Sequence, residues 1–337
     1  MRSMARLLIV TPAGAGTRNG NRHTALRWAT LLRQSGHRVR VALAWDGEPC
    51  EALVALHARR SAGSIARFAA TGKPLAVTLT GTDLYRDLPQ SAEARRSLEL
   101  ADRVIVLQEA ALAELDRATR RKARVVYQSA DPRLRRAPPA DRFRACVIGH
   151  LRAEKDPLRT VAAVSLLAKE TRVEVVHVGA ALDATLGKEA QAWMAREPRY
   201  RWLGGLPHGR ALGWLASSHV LVVSSVMEGG ANVIAEAARL GTPVLASRIS
   251  GNVGMLGARY PGYYPLGDEA ALGRLIARAA SDRVFLRQLH EALRERRHLF
   301  APAAERRALA VVVDEVLERR TSATLPRTAA LDQSTSP

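Results

Sequence analysis

Short apolar runs alternate with stretches of helical periodicity along most of the chain. Leu7–Val10 is the first run, and the turn-rich segment 11–21 (TPAGAGTRNGN) follows it. Ala25, Trp28, Ala29 and Leu32 then recur at i, i+3, i+4 and i+7, one face of a helix, and Gly36 ends the pattern. Val39, Val41 and Leu43 alternate as a second strand, and further strands are predicted at Leu75–Leu79, Val104–Leu107 and Val125–Tyr127. Strands separated by helices predict a parallel, doubly wound sheet.

At 131–141 (DPRLRRAPPAD) the pattern breaks into Pro and Arg, and then it restarts. Ala145–Ile148 reads as a strand, 149–157 (GHLRAEKDP) as a loop and Leu158–Ala168 as a helix, with strands at Val173–Val178, Val220–Val223 and Val244–Ala246. The restart predicts two Rossmann-like domains facing one another across a cleft, 1–136 and 142–300. Leu309, Val312, Val313 and Val316 mark a last amphipathic helix over 301–320, expected to pack back on the first domain, and 321–337 reads as a disordered tail. The 337 residues, 47% hydrophobic, suffice for two cores.

Charge adds one question. The net charge is +19, and only five of the 51 basic residues are lysines (73, 122, 155, 169 and 188). A solvated basic surface accounts for this, and so does a polyanionic partner such as nucleic acid, an anionic membrane or a small phosphorylated substrate. Zinc-finger spacing and aromatic-studded strands are both missing, which argues against nucleic acid. No apolar run approaches the ~20 residues of a bilayer span. Leu7–Val10 is too short for a signal-peptide core, and two cysteines (Cys50, Cys146) make no disulfide framework. A cytoplasmic protein without stable membrane insertion is expected; the oligomeric state is not legible.

The chemistry concentrates in 220–254 (VLVVSSVMEGGANVIAEAARLGTPVLASRISGNVG). A buried strand runs into a loop ending at Glu228. Gly229-Gly230 gives a bare turn, and a helix opens near Ala231-Asn232-Val233 and stops at Gly241. Ligands of open α/β sheets bind at the carboxyl ends of strands, and helix N-termini preceded by glycine hold diphosphates. Glu228 and Glu236 flank that anion site, and carboxylates beside phosphate suit the hydroxyls of a sugar. A turn glycine with two helix-region glutamates is also ordinary in any α/β protein. Arg152 and Lys155 stand just past a strand end, placed to neutralise a leaving diphosphate. Gly14 and Gly16 in the first loop offer backbone to phosphate. The competing dinucleotide fingerprint is incomplete, because Asn19 stands where Gly or Ala is required, although Asp46 follows the second strand. No Asp-x-Asp pair occurs, and neither His nor Cys shows metal-ligand spacing, so no metal and no cofactor are expected.

The segment 228–254 resembles the donor-binding segment of the retaining, GT-B-fold glycosyltransferases of the glycogen-synthase-like group, and 149–157 resembles their basic loop. The resemblance assigns Glu228 to the donor sugar, Glu236 to the ribose and Lys155 to the diphosphate. His150 stands where that group has Arg, with Arg152 as substitute, and Thr80-Gly81-Thr82-Asp83 replaces its His-Gly-x-Asp element. The segments 19–37, 56–65, 79–87, 149–157, 227–237 and 247–265 more narrowly resemble the selenosugar synthases of selenoneine biosynthesis. That resemblance implies a UDP-sugar donor, typically UDP-N-acetylglucosamine, and selenophosphate as acceptor. Such an acceptor is a small anion needing no general base, and Arg18, Asn19, Asn21, Arg22, Arg59, Arg60, Thr80, Asp83 and Arg86 are the residues placed to meet it. A transferase acting on lipid or oligosaccharide hydroxyls, a nicotinamide oxidoreductase and a nucleic-acid binder are the alternatives.

Overall fold

The computed structural model describes residues 4–14 and 20–323. Two parallel six-stranded sheets form in sequence order. The first holds β1 (Arg6–Val10), β2 (Arg38–Ala42), β3 (Ala52–Leu56), β4 (Leu75–Thr78), β5 (Arg103–Val106) and β6 (Ala123–Val125), ordered β2-β1-β3-β4-β5-β6. The second holds β7 (Phe143–Ile148), β8 (Val173–Val178), β9 (Tyr200–Trp202), β10 (Val220–Val223), β11 (Val244–Ser247) and β12 (Tyr263–Tyr264), ordered β12-β11-β10-β7-β8-β9. Its chain order reverses between β7 and β10, which pair through Val220 with Ala145 and Leu221 with Cys146. Crevices at such reversals are where open α/β sheets bind ligands.

The helices bury apolar faces on both sides of each sheet. In the first domain Trp28 and Leu32 of the first helix (Gly20–Gln34) pack with Leu7 and Ile9 of β1. Leu309, Val312, Val313 and Val316 join this same core, so the last helix (Pro302–Ala323) crosses back to the first domain. That helix includes residues 321–323, which the composition assigns to a disordered tail. Residues 324–337 lie outside the described residues. Two other boundaries differ from the sequence pattern. Leu43 lies beyond β2 and is 59% exposed, and the last strand of the first sheet covers Ala123–Val125 rather than Val125–Tyr127. Among the described residues no helix is long and apolar enough to cross a membrane.

Candidate active site

Two loops meet at the strand-order reversal: 149–157 after β7 and 224–231 after β10. Hydrogen bonds lace them together. Ser224 Oγ donates to the carbonyls of Lys155 (3.0 Å) and Asp156 (2.8 Å), and Val226 N donates to the Glu154 carbonyl (3.0 Å). Asp156 takes a left-handed conformation (φ 41°), one that Asp tolerates better than most side chains, and so turns the chain after the short helical turn Ala153–Lys155. The result is an ion pair between Lys155 Nζ and Glu228 Oε1, with Ser225 Oγ donating to the same oxygen at 2.6 Å. Glu228 is buried. The pair faces a pocket lined also by Gly149, His177, Ser225 and Val233. Arg152 is exposed at the start of the turn, so of the two cations Lys155 is the one that meets Glu228. His150, at the position held by Arg in the resembled group, instead accepts a hydrogen bond from Ala180 N through Nδ1 (3.0 Å).

The sequence pattern overlooks His177, which appears there only as an interruption of an apolar strand. It is fully buried on β8, with Nε2 3.0 Å from the Gly149 carbonyl and Nδ1 3.0 Å from the Tyr200 hydroxyl. A carbonyl only accepts, so Nε2 carries the proton and Nδ1 accepts from Tyr200. Burial pushes the His177 pKa down to about 4, which keeps the ring neutral at pH 7. Its neighbour Gly179 lies so close to Gly149 that a Cβ there would overlap the Gly149 carbonyl. The floor of the site is thus fixed by β8.

Beyond Glu228 the helix Asn232–Leu240 begins after an extended Ala231 that offers no side-chain cap, so its first N–H groups await an acceptor. Gly229 and Gly230 do more than form a bare turn. A Cβ on Gly81 would lie 2.7 Å from Gly229 N, and a Cβ on Gly230 would lie 2.7 Å from Leu107 Cβ, both across the domain boundary. The domains close here on backbone. From the first helix Arg27 Nη2 approaches Asn232 Oδ1 at 3.4 Å. Glu236, in the second turn, accepts from or pairs with His208 Nε2 at 2.8 Å. Gly14 ends the described part of the loop after β1; Gly16, Arg18 and Asn19 lie outside the described residues.

The first domain presents its own face. Thr80 is buried against the Gly229 turn, and Asn21 and Arg22 sit half-buried in the first turn of the first helix. Arg59, Arg60 and Arg86 are exposed. Asp83 is fully buried and accepts from Ala58 N (2.7 Å) and Arg59 N (3.3 Å), so it braces the loop after β3. His57 sits in the same brace at φ 75°, with Nδ1 3.1 Å from Asp83 and Nε2 3.6 Å from Asp87. Arg59 pairs with Asp87 at 2.9 Å, which raises its pKa, and Arg86 reaches across to Glu154 at 3.1 Å. His57, Asp83 and Asp87 also bring three ligand-type side chains within 4.8 Å of one another. The two ring nitrogens of His57 face different carboxylates, and the Arg59 guanidinium already pairs with Asp87.

Comparison with known proteins places this geometry. Residues 142–282 match the family model of glycosyl transferases, group 1. HepE of Anabaena, solved with UDP and glucose, is similar over 92% of this chain and 99% of its own, at 18% identity and a TM-score of 0.72. The sucrose-phosphate synthase of Thermosynechococcus elongatus is similar over 95% of this chain and 100% of its own (17% identity, TM-score 0.74). A glycosyltransferase of Rickettsia africae is similar over 94% and 100% (15% identity, TM-score 0.75). The chain thus has the GT-B fold, and the match to the group 1 glycosyl transferase model lies within its second domain.

Proposed function

We propose that the protein transfers a sugar, N-acetylglucosamine, from its UDP donor to the selenium of selenophosphate. The observation that carries the donor half is the meeting of Lys155 and Glu228 at the strand-order reversal, beside an uncapped helix N-terminus. HepE solved with UDP and with UDP-glucose supports a uridine nucleotide in this fold. In this reading Lys155 leaves Glu228 for the diphosphate, Glu228 turns to the sugar hydroxyls, and Glu236 takes the ribose. Arg152 is exposed near enough in sequence to add charge. No metal is assigned a part: Lys155 and the helix N-terminus neutralise the departing UDP.

The acceptor half rests on the first-domain face. Thr80 replaces an ionisable group beside the reacting centre, and the guanidinium groups of Arg59 and Arg86 stand on the same domain. A soft anion suits such a face because it needs alignment and charge neutralisation, not deprotonation. The selenium electron pair forms the C–Se bond as the anomeric C–O bond breaks toward UDP, and water then cleaves the P–Se bond to release phosphate and the selenosugar. The test incubates the purified protein with UDP-N-acetylglucosamine and fresh selenophosphate, with and without EDTA. A sugar carrying the selenium isotope pattern, formed equally in both, is expected. Efficient glycosylation of a sugar or lipid hydroxyl with no selenosugar overturns the acceptor reading, and activity that depends on added metal overturns the second clause.

A further inference from the structure

Glu236, assigned above to the ribose, already has a partner. His208 opens the helix His208–Ala216 that follows β9, while Glu236 lies in the second turn of the helix after β10, and their side chains meet at 2.8 Å. Glu236 is largely sheltered (15% exposed) and His208 largely open (65%), so His208 is the member that can swing away. From the other domain His23 brings its ring to 6.4 Å from that of His208. One helical turn further along, Arg27 reaches Asn232 at the start of the donor helix. The imidazole therefore lies over the carboxylate, between the two domains, where a nucleoside would enter.

We infer that His208 belongs to the donor-nucleoside site: it holds Glu236 while the site is empty, yields it to the ribose hydroxyls, and gives up a proton to solvent in doing so. This rests on the reading of Glu236 as the ribose ligand. The exchange leaves the carboxylate fully satisfied, since two hydroxyl donors replace one imidazole donor on it. The hydrogen bond to Glu236 raises the His208 pKa, against the opposing effect of burial. Once the ribose takes Glu236, that support is lost and the pKa falls. The empty site therefore binds the proton more tightly than the filled one, and by linkage donor affinity increases as pH rises through the window above the ordinary histidine value. Among the described residues, the groups facing His208 are Glu236 from the helix after β10 and, from the first helix, His23 with Arg27 beyond it. The His23 pKa is lowered, first by burial and then by His208, so His23 is already neutral in that window.

The experiment is titration calorimetry of UDP-N-acetylglucosamine at a series of pH values, in buffers of different ionisation enthalpy. The nucleotide sugar is the probe because its diphosphate is esterified at both ends. UDP itself carries a terminal phosphate that titrates near pH ~6 and would add its own slope. Wild type should bind more tightly as pH rises, at most about tenfold per pH unit, with a measurable release of protons. His208→Gln should bind with little pH dependence and no proton release, and its exposure leaves folding untouched, checked by melting. A wild-type affinity flat with pH, or a slope that persists unchanged in His208→Gln, overturns the inference. Glu236→Gln separates the two layers. Undiminished binding by that variant removes the ribose reading and this inference together. Weakened binding, with the pH slope still present in His208→Gln, removes this inference alone.

Discussion

Lys155 and Glu228 are held together by a part-buried ion pair, so in the proposed reading each meets the donor already oriented. Exchanging that partner for a diphosphate costs Lys155 little, because one anion replaces another, whereas removing the ammonium leaves two anions facing one another. Lys155→Ala is therefore expected to lower kcat by about 10²–10³-fold, the loss of ~2.7–4 kcal/mol typical of one charged donor at a developing anion. Glu228→Gln should lower kcat more than it raises KM if, as proposed, it acts on the reacting sugar. Steady-state kinetics with the donor varied checks both, and wild-type values in either variant would remove its role. Gly229 is a different case. Its motif was legible as a bare turn for phosphate, but the sequence holds no sign that a Cβ there would overlap Gly81 N and the Thr80 carbonyl carbon across the domain boundary. Gly229→Ala should therefore open the cleft and lose activity even in the folded protein. The bracing contacts of His57 and Asp83 were illegible for a related reason: their partners are backbone N–H groups and side chains brought together by β3 and β4, and no local spacing records that.

The Val-rich buried strands β8 and β10 were readable as apolar runs, whereas β3 was not: Ala52–Leu56 holds a single β-branched residue, and so short an apolar run cannot be told from helix by its period. The short β9 and β12 carry too few residues for any period. The reversal between β7 and β10 could be expected from the restart of the strand–helix pattern, but the bolt that ties β8 to the loop after β7, His177, could not. That residue joins three elements: β8 by its backbone, the loop after β7 through Gly149 and β9 through Tyr200. Its pKa of about 4 against an ordinary 6.5 means that the unfolded chain binds the proton more readily than the folded one. Stability is thus whole above pH ~6.5 and is lost as pH falls toward ~4, by roughly 3 kcal/mol if the full shift is realised. Urea denaturation across that range should show the loss in wild type. His177→Gln, which keeps one donor and one acceptor but no titrating group, should show less of it while being weaker at pH 7. An identical pH profile in the two proteins would mean that other groups govern acid unfolding.

At the scale of the molecule, the chain crosses between domains twice, and the crossings touch: Ala130 N donates to the Phe300 carbonyl at 3.2 Å. Glu305, in the first turns of the last helix and 1% exposed, ties them to the first domain. It accepts from Ser129 N (2.8 Å), Trp28 Nε1 (2.7 Å) and Arg27 Nε (3.0 Å), and Arg27 reaches on to Asn232 at the donor helix. A single carboxylate thus joins the linker, the first helix, the returning helix and the edge of the donor site. Deleting one partner of a buried, multiply bonded charge strands the others, at a cost typically ~3–5 kcal/mol. Glu305→Ala is expected to lose stability of that order, and Glu305→Gln less, because the amide oxygen still accepts. The contrast is Arg86–Glu154, which also bridges the domains but with side chains 42% and 24% exposed. Water competes at such a pair, and Arg86→Ala should change stability by no more than ~1 kcal/mol. The measurement is denaturant unfolding of the three variants beside wild type, read by the fluorescence of Trp28 and its fellow tryptophans. Equal small losses at Glu305 and Arg86 would mean that the apolar face of the returning helix, Leu309 to Val316, holds the two domains in place without its carboxylate.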